Sequence, residues 1–227
     1  MQTLTVIFLL IGAYLLGSIP SGLIIVKLGT GKDVRHVGSG RTGGTNVMRA
    51  AGLVAGLLTA LADFGKSYLA VYLTRWLLPD LYWVHAVAGL LSILGHNHSI
   101  YLPERKPDGR WHLRGGAGGV CTVGAAFGLW QPSLLIILPL AALVFVFVGY
   151  ASVTTISAAA ASLLIFGYRA LTGVDPWEYA AYGAFAVVLV LIALRPNLKR
   201  LREGNERLVG LRVYLKKRAE RKRNQTQ

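Results

Sequence analysis

Long uncharged stretches organise this chain. Residues 4–26 form a run of 23 without an Asp, Glu, Lys or Arg, and residues 115–168 form a run of 54. A helix crosses the hydrocarbon core of a bilayer with about 20 apolar residues, so the longer run alone accommodates two or three crossings. The pattern predicts seven apolar segments, at 4–28, 53–78, 81–102, 116–130, 133–149, 152–171 and 177–194. The expected fold class is an all-α integral membrane protein, a seven-transmembrane-helix bundle over residues 1–210 with a basic cytoplasmic tail at 211–227. The fourth segment is short and glycine-rich and is expected to be a broken or partial helix. Gly17-Ser-Ile-Pro-Ser-Gly22 interrupts the first. Such a break leaves backbone groups that must meet protein or a ligand rather than lipid, so it is expected to kink the span or line a site. With no basic n-region and an apolar run longer than 7–15 residues, the N-terminal segment reads as a retained span rather than a cleavable signal.

Charge sets the expected sidedness. The 227 residues hold 24 Lys and Arg against 10 Asp and Glu, a net charge of +14. Most of this lies in three segments: residues 27–49 carry +4, 104–114 carry +2 and 195–227 carry +9. These follow the first, third and seventh apolar segments. Positive flanks stay in the cytoplasm, which puts the N-terminus outside and the C-terminus inside and assigns the basic excess to membrane flanks rather than nucleic acid. The lone Cys121 excludes an intrachain disulfide and reads as a small packing residue.

The same three cytoplasmic segments carry the candidate chemistry, so they can converge on one site. The first runs from Asp33 to Arg49. It interleaves Gly38, Gly40, Gly43 and Gly44 with Ser39, Thr42, Thr45 and Asn46. Glycines let successive N–H groups turn toward an anion, and Arg49 offers a bidentate guanidinium; the plainer alternative is a flexible connecting loop. The second is Arg114-Gly-Gly-Ala-Gly-Gly-Val-Cys-Thr122, where Gly115, Gly116, Gly118 and Gly119 permit close backbone approach or small-residue helix packing. The third, Arg195 to Glu206, contains Asn197 and can equally be a stop-transfer flank. Beyond it, residues 212–223 read as a helical or frayed tail on the membrane surface, with 224–227 disordered.

Inside the spans, Asp63 and Lys66 stand i, i+3 and can pair, as a functional or a structural ion pair. His85 reads as a satisfied core histidine. His96 and His98 flank Asn97 beside the second glycine segment; His96 is a candidate for phosphate binding or acid–base work, and no third ligand with regular spacing marks a metal site. Nothing in the sequence requires a cofactor or metal. A Walker loop, a Gly-x-Ser-x-Gly elbow and a His-x-x-x-x-Asp signature are all absent.

In this order on such a chain, the three segments resemble the PlsY family of bacterial membrane acyltransferases, over about residues 4–210. The family's first motif, Gly-Ser-Gly-Asn-x-Gly-Ala-Thr-Asn-x-x-Arg, stands here as Gly38-Ser39-Gly40-Arg41-Thr42-Gly43-Gly44-Thr45-Asn46-Val47-Met48-Arg49. Its Lys-Gly-Gly-Lys-Gly is echoed by Arg114-Gly-Gly-Ala-Gly118, and its His-Arg-x-Asn-Ile by Leu194-Arg-Pro-Asn-Leu198. Ala117 and Leu194 thus replace a lysine and a histidine, and Arg41 replaces an asparagine.

The resemblance implies transfer of an acyl chain from acyl phosphate to glycerol 3-phosphate at a cytoplasm-facing site of the bacterial plasma membrane. It makes Ser39, Arg49, Arg114 and Asn197 catalytic, and it places Gly38, Gly40, Arg41, Gly43, Thr45, Asn46, His96, Gly115, Gly116, Gly118 and Glu206 around the substrate phosphates. Glu206 would orient its neighbours, and Arg41 would partly replace the missing lysine charge. Three rival readings stand beside it: a weakened paralogue that binds lipid phosphates, a small transporter using Asp63 and Lys66, and a structural membrane protein.

Overall fold

The computed structural model describes residues 1–105 and 108–225. Lys106, counted above in a basic flank, and the last two of the residues expected to be disordered, Thr226 and Gln227, lie outside them. The elements in chain order are α1 (Gln2–Ser18), α2 (Ser21–Thr30), α3 (Gly44–Leu77), α4 (Tyr82–Asn97), β1 (Pro103–Arg105), β2 (Trp111–Leu113), α5 (Gly119–Leu129), α6 (Ser133–Leu143), α7 (Ala151–Leu171), α8 (Trp177–Arg202) and α9 (Gly210–Gln225). Each of the seven expected apolar segments coincides with a helix or a broken pair. Four stretches among the described residues are long and apolar enough to cross a membrane: Gln2–Thr30, Gly44–Leu77, Ala151–Leu171 and Trp177–Arg202. Helices α4, α5 and α6 are shorter, and α6 continues into one wide helical turn, Val144–Val148.

The all-helical class is borne out, and β1 and β2 add one short antiparallel pair, Pro103 opposite Leu113, between α4 and α5. The fourth segment is short, as expected: a turn at 116–118 leads into the eleven-residue α5, with Gly118 at a left-handed φ of 79° at its entrance. Asn224 and Gln225, expected to be disordered, fall in α9.

Packing follows the rules of a lipid-facing bundle. Leu4, Phe8, Leu57, Leu61, Leu135, Leu164 and Phe185 point outward, while the interior holds small residues around Phe166, Tyr182, Ile93 and Ile137. With apolar lipid outside, helix association depends on close van der Waals fit and internal hydrogen bonds rather than on a hydrophobic drive. Gly17 of α1 lies directly on the Ser92 backbone of α4, and Gly95 on the Tyr14 carbonyl, so neither position has room for a side chain. Gly124 of α5 lies on the Phe64 backbone of α3 in the same way. Buried hydroxyls bond backbone oxygens: Tyr182 donates to Thr122 O at 2.7 Å, and Ser162 to Ala158 O at 3.0 Å.

The break between α1 and α2 meets protein. Ser99 Oγ donates to Ser18 O at 2.5 Å and Lys66 Nζ to Ile19 O at 2.9 Å. It kinks the first apolar stretch and is not among the residues lining the main pocket. A second kink divides α3 at Gly52, whose φ of 88° and ψ of 175° turn residues 44–51 back against the long helix that follows.

Candidate active site

Two loops and helix α8 meet at one end of the bundle around a pocket of about 720 Å³. Gly38, Ser39, Gly40 and Arg41 form one wall, and Asn97, His98, Arg114, Gly115 and Gly116 another. Ile192, Ala193 and Pro196 of α8 close it from the third side, and the β1–β2 hairpin rims it.

The first wall is shaped by Asp33 and Asn46. Asp33 Oδ1 accepts from Arg35 N at 2.9 Å, starting a single tight turn at Val34–His36, and Asp33 Oδ2 pairs with the Arg35 guanidinium at 2.6 Å. Hydrogen bonding from Arg35 holds the Asp33 carboxyl down at about 2. The Asn46 side chain is buried, and its Nδ2 donates to Val37 O at 2.9 Å and Arg41 O at 2.8 Å, with Val34 O at 3.2 Å. Its Oδ1 accepts from Ser39 N at 3.0 Å. Gly38 and Gly40 both take left-handed φ, and a side chain at Gly38 would run into Asn46 Oδ1.

Some of the N–H groups expected to cradle an anion are already engaged: Ser39 N by Asn46, Gly40 N by Val37 O at 2.9 Å, and Gly116 N by His96 O at 2.8 Å. Asn46 itself is a loop clamp, since its amide is engaged at both ends by backbone. Cations stand beside these groups in the pocket walls. Arg41 reaches across to α8, where its guanidinium donates to Ala193 O. Burial lowers its pKa to about 10, which leaves it charged at neutral pH. Arg114 stitches the loops together by pairing with Glu104 of β1 and donating to Arg35 O at 3.2 Å. Thr42 N donates to Gly115 O at 3.3 Å, joining the first two segments directly. His98 is pushed below the ordinary histidine value by burial and by neighbouring His112.

Of the four residues expected to be catalytic, Ser39 and Arg114 line the pocket. Arg49 and Asn197 stand behind it in a second polar group built on Glu206. Asn197 Nδ2 donates to Glu206 Oε1 at 2.8 Å, and Arg200 Nε lies 3.2 Å from Glu206 Oε2. Arg49 packs by Gly38 and, like Arg41, feels the Glu206 charge. Asn197 is 9% exposed and its Oδ1 is buried without a hydrogen bond, an acceptor left over for a hydroxyl or N–H. Gly43, Thr45, Gly118 and His96 lie outside the lining residues. Gly118 serves the entrance of α5, next to the Asn97 amide, whose nitrogen and oxygen are also buried without a partner.

Ala117 and Leu194 adjoin: both belong to one apolar contact with Ala159 and Val190. The two departures from the motif pattern thus fall in one apolar cluster, between the turn before α5 and helices α7 and α8. Among the described residues one group has metal-ligand geometry, the buried Asp63, His96 and Cys121. The Lys66 ammonium, 2.8 Å from Asp63 Oδ1 and 3.0 Å from His96 Nδ1, stands where a cation would sit, so the group fits an ammonium rather than a metal ion.

Comparison with known proteins decides the family. A model described as glycerol-3-phosphate acyltransferase matches residues 7–204. The chain belongs to the glycerol-3-phosphate acyltransferase family. It is 35% identical over 201 residues to the glycerol-3-phosphate acyltransferase of Geotalea daltonii, covering 88% of this chain and 95% of that protein. It is 34% identical to that of Thermus thermophilus, covering 91% and 96%. A crystal structure of PlsY (YgiH), an integral membrane glycerol 3-phosphate acyltransferase, in its glycerol 3-phosphate form superposes with a TM-score of 0.79 at 30% identity, covering 93% of this chain and 98% of that one. Its lysophosphatidic acid form gives 0.77 at 28% identity. The family likeness covers both loops of the pocket and the α8 residues that close it. Sequence reasoning named Asn97 and His98 beside the second glycine segment without assigning them to the site, and missed His112 and the hairpin. The signal available for the hairpin was the sequence Pro107-Asp108-Gly109, whose residue types favour a turn.

Proposed function

We propose that this protein transfers a fatty acyl group from acyl phosphate to the primary hydroxyl of glycerol 3-phosphate, giving lysophosphatidic acid for phospholipid synthesis. The observation that carries the reading is the convergence of the first two motif loops and the α8 end of the third on one cation-lined pocket at an end of an apolar bundle. Support comes from a similar fold, PlsY, solved in forms named for glycerol 3-phosphate and lysophosphatidic acid.

In the proposed step, the acceptor hydroxyl oxygen attacks the acyl carbonyl carbon. A new C–O ester bond forms, the bond from that carbon to the phosphate oxygen breaks, and inorganic phosphate leaves. The hydroxyl proton passes to a phosphate oxygen of the substrates, so no enzyme base or covalent intermediate is needed. Two phosphate anions must then sit close together, and the protein's work is positioning and charge stabilisation. Arg41, Arg49 and Arg114 supply the cations, Ser39 and Asn197 hydrogen bonds, and Glu206 orients Asn197. Arg114 already shares its charge with Glu104, so Arg41 makes up part of the positive field that the apolar Ala117–Leu194 contact does not provide.

The basic flanks support seven crossings, with the N-terminus outside, the pocket facing the cytoplasm and the plasma membrane as location. Residues 1–210 form the catalytic unit in this reading, and 211–227 a basic tail on the inner leaflet. The test is product formation by purified protein from acyl phosphate and labelled glycerol 3-phosphate. Arg49→Ala and Arg41→Ala should each lower kcat/KM by about ten- to hundredfold, the worth of a hydrogen bond to a charged group. Product formation by Arg49→Ala equal to that of the unaltered protein would overturn the site.

A further inference from the structure

The buried Asp63–Lys66 pair has no place in the transfer step above, yet it is tied to the pocket through one histidine. Lys66 Nζ has three partners from three parts of the fold. These are Ile19 O at the α1–α2 break (2.9 Å), Asp63 Oδ1 one turn away in α3 (2.8 Å) and His96 Nδ1 at the end of α4 (3.0 Å). The side chains of Lys66, Asp63 and His96 are 6%, 3% and 6% exposed, so bulk water does not compete for these contacts.

An ammonium has donors and no acceptor. At 3.0 Å from Lys66 Nζ, the His96 Nδ1 must accept, which leaves the ring proton on Nε2. The Asp63 carboxylate balances the ammonium and keeps it a donor. His96 Nδ1 lies 3.5 Å from Asp63 Oδ1, farther than from Lys66, so the lysine and not the carboxylate sets the tautomer. The other face of the ring meets Gly116. A Cβ at that position would overlap His96 Nε2, and Gly116 N donates to His96 O at 2.8 Å. Gly116 lines the pocket. The imidazole therefore fills the side-chain space of a pocket residue.

We propose that Lys66, held by Asp63, is a positioning residue that locks His96 in its Nε2–H form and presents that N–H beside Gly116 to a substrate phosphate oxygen. The assignment rests on the acyl-transfer reading for the identity of the phosphate. The same arrangement explains why Gly116 cannot carry a side chain and why a lysine lies in an apolar bundle: each holds one side of the ring.

The test combines spectroscopy and kinetics. In protein carrying 15N-histidine, with the His96 signal assigned by its absence in His96→Gln, the ring should show the Nε2-protonated pattern, and the signal should move on adding glycerol 3-phosphate. Lys66→Met should raise KM about ten- to hundredfold, as expected for losing a hydrogen bond to an anion. A rise for glycerol 3-phosphate alone assigns the N–H to the acceptor's phosphate, and a rise for acyl phosphate alone to the leaving one. In the His96→Gln background, whose amide N–H needs no tautomer selection, Lys66→Met should leave KM unchanged. An Nδ1-protonated or doubly protonated ring in the unaltered protein overturns the proposal even if Lys66→Met fails to fold. So does an equal loss in both backgrounds, the sign of a purely structural ion pair. No product from the unaltered protein would sink the acyl-transfer reading instead, while the spectrum would still report the tautomer.

Discussion

The two ends of α4 each carry a buried histidine, and their surroundings differ in kind. His85, in the first turn, spends both ring nitrogens on the protein: Nδ1 lies 3.0 Å from Tyr179 Oη and Nε2 lies 2.8 Å from Leu78 O. Around it, Arg169 pairs with Asp175 and stacks on Trp130, and Arg75 donates to Gly128 O at 2.7 Å. At that end these side chains are engaged with one another, with Ser133 Oγ left as a buried unpaired atom beside them. His96, about 16 Å along the same helix, spends one nitrogen on Lys66 and turns the other toward a glycine in a pocket wall. Near it, Asn97 and Asn197 keep buried amide atoms without partners. A buried unsatisfied polar group costs about 1–3 kcal/mol, so a concentration of them at one end marks where a ligand completes the structure. Closed networks hold helices together, and open ones bind.

The sharpest way to break this contrast is to fill the open end. Gly116→Ala should displace the His96 ring and lower kcat/KM at least about a hundredfold, the scale of a 1 Å misplacement at a reacting centre. Gly173, in the α7–α8 connection, has a left-handed φ of 72° and open space around it. There the same substitution should cost about 1–2 kcal/mol of stability from backbone strain and leave kcat/KM intact. Comparable activity in the two variants would mean that Gly116 is ordinary close packing.

A smaller effect separates the histidines themselves. His85→Phe should lower stability by about 1–3 kcal/mol, read as a lower Tm in detergent, because Tyr179 Oη and Leu78 O lose their partner. Turnover at equal folded concentration should be unchanged. Loss of kcat/KM without loss of Tm would place His85 in the site and erase the distinction between the ends.

What could be read from the sequence divides along the same line. The apolar segments and the first glycine motif were legible because lipid exposure demands uninterrupted hydrophobicity and because Gly38, Ser39 and Gly40 stand together in the chain. The helix start at Leu53 was legible too, although the residues before it fold as a helical turn beyond a kink at Gly52. The duties of Asn46 were not. Its type and position fit a substrate ligand, but three loop carbonyls and one loop N–H claim its amide, and only the folded path of residues 34–41 brings them to it. The hairpin escaped because three-residue strands are too short to establish alternation. Arg114 was legible as a cation and not as a partner of Glu104, ten residues away across that hairpin. Local chemistry shows in a sequence; whether a donor is spent or free is a property of the fold.

The mildest probe concerns Asp33, which holds Arg35 at the pocket wall and does not itself line the pocket. The folded Asp33 carboxyl titrates at about 2 against an ordinary 3.8. Its contribution is therefore fully present above about pH 4 and is lost as pH falls through about 2, since protonation then favours the unfolded chain. The Asp33 side chain is 27% exposed, so screening by solvent limits the effect to about 1 kcal/mol or less. Between pH 6 and pH 3 the unaltered protein should lose a degree or two of Tm more than Asp33→Asn does. Both proteins share every other carboxylate, so the difference between them isolates this pair. At pH 7 Asp33→Asn should raise KM slightly, because Arg35 O, the acceptor for Arg114, loses the turn that aims it. An unchanged KM together with the Tm difference would assign the pair to the closed kind of network, where it supports the wall and nothing more.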